Sequence, residues 1–165
     1  DPAHTATGPV DVGSGDDLFN DEAGTIGTLT GGADNDTLAA AGSGGVSFVI
    51  DGTDEGAIGG QAFEAIENVV GGSGDDTFTV EDNGELTGGT GLDGGAGSDT
   101  LEGGSGADVF TTTGPNAGQL TNNAGTLLYS DMENLAGRGD ADTFDLSHNV
   151  SGTVDGGSGD RKSVV

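Results

Sequence analysis

The most regular repeats of this chain offer one large apolar residue per strand with polar residues on either side, as in Asp76-Thr77-Phe78-Thr79 and Asp99-Thr100-Leu101-Glu102. Successive side chains of an extended strand point to opposite faces, so this period of two buries one face and solvates the other. The pattern predicts short strands at 46–50, 77–80, 99–101, 109–112 and 126–129. Nearly every intervening segment holds Gly, Asn or Asp, the residues that tolerate positive φ and make turns. Helix is nearly absent: the one stretch that suggests a helical turn, 61–66, is also expected to be extended or irregular.

The turns share a template, G-G-x-G-x-D-x-U-x, where U is a large apolar residue. It is complete at 71–79, 94–102 and 103–111, and the last two run in tandem. Degenerate copies occupy 12–20, 31–39 and 137–145, and a final one at 156–164 has Arg161 and Ser163 in place of the Asp and the apolar residue. A longer period lies above this one. Glu67-Asn68 and Glu133-Asn134 stand 66 residues apart (133 − 67), each just ahead of a glycine turn. The expected organisation is an N-terminal extension (1–11), one repeat array (12–160) and an atypical tail (161–165). Long repeats cover about 12–70 and 71–136, with a truncated third over 137–160. Repeats that each contain several strands indicate an all-β solenoid with turns of unequal length and a thin core, one Leu, Phe, Ile or Val per strand.

Composition changes this picture by raising a stability problem. The 165 residues include 36 Gly and no Cys, and 29 acids against three Lys and Arg give a net charge of −26. Such a chain, alone in water, reads as a disordered polyanion. The constant phase of Asp, Gly and apolar residue argues for order instead. Burying one large side chain contributes roughly 1.5–3 kcal/mol, whereas ordering each residue costs about 1–2 kcal/mol in backbone entropy. The core alone therefore does not suffice.

The charge also narrows the partners. Nucleic acid and anionic lipid are disfavoured, because both are bound by Lys and Arg; divalent cations are the natural counter-charge. Without Cys there are no disulfides or thiolate metal sites, which leaves an extracellular setting open if other bonds hold the fold. No apolar run approaches the ~18 residues of a membrane span. Asp1 opens no signal peptide, so a mature product, a fragment or another export signal is expected. His4 and His148 lie in unrelated contexts, and neither a zinc-protease helix motif nor a nucleophile elbow is present, so no enzyme activity is expected.

Calcium answers the deficit. The ion takes about six to eight hard oxygen ligands, mixing carboxylates with carbonyls. A glycine turn lets carbonyls face inward, and the sixth-position Asp adds a carboxylate. Two turns stacked at about 4.8 Å can together complete a shell that one turn cannot. Without the ion the stacked carboxylates repel; with it they are bridged, so binding and folding become one event.

The segment GGAGSDTLEGGSGADVFT resembles the RTX, or haemolysin-type, calcium-binding repeat, and 12–160 is compatible with that family's large bacterial surface proteins. The resemblance implies a right-handed parallel β-roll with Ca²⁺ between loops two nonapeptides apart, secreted unfolded and folding in external calcium. It implies carboxylate ligands at Asp76, Asp99 and Asp108, and at Asp17, Asp36 and Asp142 in the degenerate motifs. The matching turns are Gly71, Gly72, Gly74, Gly94, Gly95, Gly97, Gly103, Gly104 and Gly106. The chain departs from the family in having only 94–111 in tandem. Asp99 and Asp108, nine residues apart, fall on opposite edges and need partners from other turns. For Asp99 both Asp76 and Asp93 qualify; Asp75, Asp16, Asp34 and Asp140 are compensating ligands elsewhere. Asn68 and Asn134 are read either as a hydrogen-bonding ladder between turns, with the adjoining Glu as extra ligands, or as plain polar turns.

The expected protein is an extracellular, calcium-stabilised structural component of a cell surface or matrix: an adhesin or S-layer segment, or a filament subunit binding copies of itself end to end. The alternative is the calcium-binding accessory region of a secreted enzyme whose catalytic domain lies in other sequence.

Overall fold

The computed structural model describes residues 8–21, 27–159 and 163–164. It is all-β, with one short 3₁₀ turn at Gly157–Gly159. Among the described residues no helix is long and apolar enough to cross a membrane.

Two nine-stranded sheets hold the chain. The first runs, in spatial order, β1 (Val10–Asp11), β3 (Leu29–Thr30), β7 (Gln61–Glu64), β6 (Glu55–Ile58), β5 (Ser47–Gly52), β9 (Thr77–Val80), β11 (Thr100–Glu102), β15 (Asn134–Ala136) and β17 (Val154–Asp155). The second runs β18 (Ser163–Val164), β16 (Thr143–Asp145), β12 (Val109–Gly114), β13 (Ala117–Thr121), β14 (Thr126–Ser130), β10 (Leu92–Asp93), β8 (Asn68–Val70), β4 (Thr37–Ala40) and β2 (Leu18–Asp21). The chain alternates between them, one strand at a time, except at two three-stranded excursions. β5–β6–β7 stays in the first sheet and β12–β13–β14 in the second.

Those excursions correct one expectation. The sheets are mixed rather than wholly parallel, because β6 and β13 each pair antiparallel with both neighbours. The cause is local. Asp54 and Asn116 sit in the left-handed region (φ 56° and 53°) between paired strands, and each is centred in a Gly-x-Asp/Asn-x-Gly segment that reverses the chain. Period-two alternation is identical in parallel and antiparallel strands, so it gave no warning. All five expected strands are present, and β7 confirms extended backbone at the start of 61–66. β1 lies inside the segment expected as an extension, and β18 lies in the expected tail; residues 1–7 of the extension, 160 at the end of the array, and 161, 162 and 165 of the tail fall outside the described residues.

The U residues of the nonapeptides build the core. Leu38, Phe78, Leu101, Phe110 and Phe144 are buried, and Phe19 packs against them. Parallel register stacks equivalent residues: Phe48 on Phe78 on Leu101 on Leu135 in the first sheet, Phe110 on Phe144 in the second. The Phe48 and Phe78 rings stack at 4.6 Å, and those of Phe110 and Phe144 at 4.8 Å. Both sheets contribute to one hydrophobic cluster. Phe78→Ala removes a ring stacked on both sides and should cost about 3–5 kcal/mol in urea unfolding. A loss under 1 kcal/mol would contradict this packing.

Candidate metal centre

Strand register decides which acidic loops meet. Loops 71–76 and 94–99 lead from the second sheet to the first, whereas 12–17, 31–36, 103–108 and 137–142 lead from the first to the second. Asp99 and Asp108 therefore lie on opposite edges, as their spacing requires. Parallel pairing of β9 with β11 sets loop 71–76 directly against 94–99. In the same way β2 with β4 stacks 12–17 on 31–36, and β12 with β16 stacks 103–108 on 137–142.

Each stack repeats one contact. The sixth-position carboxylate accepts a backbone N–H from the neighbouring turn. Asp36 Oδ1 takes Asp17 N–H at 2.8 Å, Asp99 Oδ1 takes Asp76 N–H at 2.8 Å, and Asp142 Oδ1 takes Asp108 N–H at 2.9 Å. Asp76 Oδ1 takes Val46 N–H at 2.7 Å, extending its ladder by one turn. Of the two acids considered for Asp99, Asp76 is its neighbour in the adjacent turn, while Asp93 sits at a strand end and accepts the N–H of Gly95 in its own turn. Asp75 and Asp16 work outside the ladder, accepting Ser98 N–H and Asn35 N–H from adjacent loops. Asp34 and Asp140 are exposed.

The ladder satisfies only half of each carboxylate. Asp36, Asp76 and Asp99 are essentially inaccessible, yet Oδ2 of each is buried without a hydrogen-bond partner. A buried anionic oxygen in that state carries a large desolvation cost. The first glycine of each motif shows what surrounds it. A Cβ on Gly71 would lie 2.5 Å from both Asp76 Oδ2 and the carbonyl oxygen of Gly94. A Cβ on Gly94 would lie 2.8 Å from Asp99 Oδ2 and collide with the Asp131 carbonyl oxygen. At Gly31 the pair is Asp36 Oδ2, 2.6 Å away, and the Ala65 carbonyl. The glycine thus vacates a cradle bordered by its own loop's carboxylate and the next turn's carbonyl. The second glycine answers a different need, since Gly72 and Gly95 have φ of 102° and 87°.

Among the described residues no three His, Cys, Asp or Glu side chains converge on one point. The oxygen set is instead one or two carboxylates with backbone carbonyls, which is the chemistry of hard cations and suits calcium. Residues and ion fit.

Burial pushes the Asp99 carboxyl up to about 6. The Asp76 amide opposes the shift, and the charges of Asp76, Glu133 and Asp75 add to it. Asp108 is likewise raised to about 6, chiefly by burial; its Oδ2 accepts Gly104 N–H, and Asp142 and Asp82 repel it. Asp76 and Asp93 are raised for the same first reason. Sequence reasoning missed Asp82, whose oxygens accept Gly106 N–H and Ser105 Oγ–H across turns and whose carboxyl is held below the usual range by those bonds. It lies outside any nonapeptide, so no spacing signalled it. Arg138, at the second motif position, instead supplies a fixed cation, 3.4 Å from Glu81 and 3.8 Å from Glu102.

The two Asn do bridge turns. Asn68 Nδ2 donates to the Asp36 carbonyl and its Oδ1 accepts from Thr90 and Gly91 on the other side. Asn134 repeats this with Asp99 and Thr153.

No family model matches the chain, and neither a curated protein nor a solved structure matches it.

A pH dependence follows. Carboxyls with a raised pKa bind protons in the folded state that the unfolded chain has released, so their contribution falls as pH rises through that window. In chelator, the melting temperature should rise as pH is lowered from 7 toward 5, and Asp99→Asn should flatten the rise. A melting temperature that instead climbs with pH over this range would contradict the burial of Asp99 and Asp108.

Proposed function

We propose that this chain is a calcium-stabilised structural module of an extracellular or cell-surface protein, akin to the RTX repeats it resembles. Its two sheets are read as the walls of a right-handed β-roll-like solenoid, interrupted by the two antiparallel excursions. The observation that carries the proposal is the recurring half-satisfied carboxylate. At Asp36, Asp76 and Asp99 one oxygen ties the next turn and the other faces a carbonyl with no proton donor in reach.

Asp76, Asp99 and the Gly94 carbonyl would hold one ion, and Asp36 with the Ala65 carbonyl another. Asp108 and Asp142 form the corresponding pair at the stack of 103–108 on 137–142. Bound calcium supplies positive charge that neutralises the buried carboxylates and ties adjacent turns together. The chain's own residues do the rest. Glycines leave room for the ion, amide N–H groups orient the carboxylates, and stacked U residues keep the loops in register. A net charge of −26 then has a structural meaning, as a set of ligands whose repulsion opposes folding wherever calcium is scarce. Calcium-rich surroundings would thereby favour folding, which is why we read the module as extracellular.

Circular dichroism and thermal melting during a calcium titration test this. The β signal and melting temperature should rise over about 10⁻⁴–10⁻³ M calcium, the range of extracellular modules. Asp76→Asn should need several-fold more calcium. Identical spectra and melting in chelator and in saturating calcium would overturn the proposal.

A further inference from the structure

The nonapeptide template does not account for Glu67 and Glu133, yet both occupy rungs of the carboxylate ladders. Glu67 Oε2 accepts Asp36 N–H at 2.7 Å, and Glu133 Oε2 accepts Asp99 N–H at 2.9 Å. This is the contact that Asp36 and Asp99 themselves make with Asp17 and Asp76 one turn earlier. The ladders Asp17–Asp36–Glu67 and Asp76–Asp99–Glu133 thus run on opposite edges and each closes on a glutamate.

The two loops are built alike and unlike a nonapeptide. Residues 64–67 and 130–133 contain no glycine. Each is pinned by an inward apolar residue, Ile66 or Met132, fully buried. Ahead of that residue the backbone turns through a non-glycine left-handed position, Ala65 at φ 51° and Asp131 at φ 50°. The carbonyls of these same two residues crowd Gly31 and Gly94 beside Asp36 Oδ2 and Asp99 Oδ2. Those two carboxylate oxygens are buried and unpartnered. Two loops 66 residues apart (131 − 65) therefore bring a carbonyl beside the same kind of unsatisfied oxygen and a longer acid to the amide of the residue that carries it.

We propose that Glu67 and Glu133 are cation ligands that complete two sites outside the nonapeptide pairing. One comprises Asp36, Glu67 and the Ala65 carbonyl; the other comprises Asp99, Glu133 and the Asp131 carbonyl. Each ladder then ends in a closed site rather than a half-built one. Glutamate serves here because the loop lacks the glycines that let a shorter Asp approach its neighbour. Asn116 Nδ2, donating to Glu133 Oε1 at 2.9 Å, fixes the carboxylate in that site. This inference rests on the calcium reading above.

Glu67→Gln and Glu133→Gln keep side-chain length and an oxygen for the amide bond while removing the charge. Bound calcium is counted by equilibrium dialysis, and melting temperature is followed against the logarithm of calcium concentration, whose slope reports ions taken up on folding. Each variant should bind about one ion fewer than the parent and show a shallower slope. A purely structural role would lower melting equally at every calcium concentration and leave count and slope unchanged. That result, obtained while Asp76→Asn does lose an ion, would overturn this inference and leave the proposed function standing. Absence of calcium binding by the parent chain would overturn both. The two variants probe separate edges, so either one suffices if the other does not fold.

Discussion

The bond between a sixth-position carboxylate and the amide of the preceding turn governs this structure. It joins loops otherwise held by backbone bonds such as Ala96 N–H to the Gly72 carbonyl, over a core to which most strands give one large side chain and β5, β9 and β14 give two. A carboxylate used this way needs its second oxygen satisfied, and in Asp36, Asp76 and Asp99 that oxygen has no protein partner. Strand pairing and glycine placement both bear on that oxygen. The first glycine leaves space beside it, the parallel register brings a carbonyl opposite it, and the accumulated charge raises the cost of leaving it bare.

Much of this was legible in the sequence because the nonapeptide ties backbone, core and ligand to fixed positions. Phe78, Leu101 and Phe110 could be assigned inward and Asp76, Asp99 and Asp108 to loops from phase alone. What phase cannot express is the order of strands across a sheet. The pairing of Asp76 with Asp99 depends on β9 lying beside β11, a contact between segments 23 residues apart (99 − 76) with β10 of the other sheet between them in sequence. The turns at Asp54 and Asn116 do carry a signal, a Gly-x-Asp/Asn-x-Gly segment, but it is submerged in a chain where such residues are everywhere.

The longer repeat is a repetition of contacts as well as of letters. Asp54 and Asn116 carbonyls accept N–H from Ile66 and Met132; Glu67 and Glu133 carbonyls accept from Gly88 and Gly152. Asn68 and Asn134 bridge the same way in both copies. The second copy lies in exchanged sheets, so each edge receives one glutamate-closed ladder. Successive copies of the motif thereby supply both edges with equivalent contacts.

The central claim is that the unpartnered oxygens are cation ligands. A crystal structure grown in calcium, with anomalous scattering to identify the ion, tests it most directly. The account predicts calcium between loops 71–76 and 94–99, bonded to the carboxylates of Asp76 and Asp99 at about 2.3–2.6 Å. Those oxygens found hydrogen-bonded to water or protein donors at saturating calcium, with no ion between the loops, would contradict it.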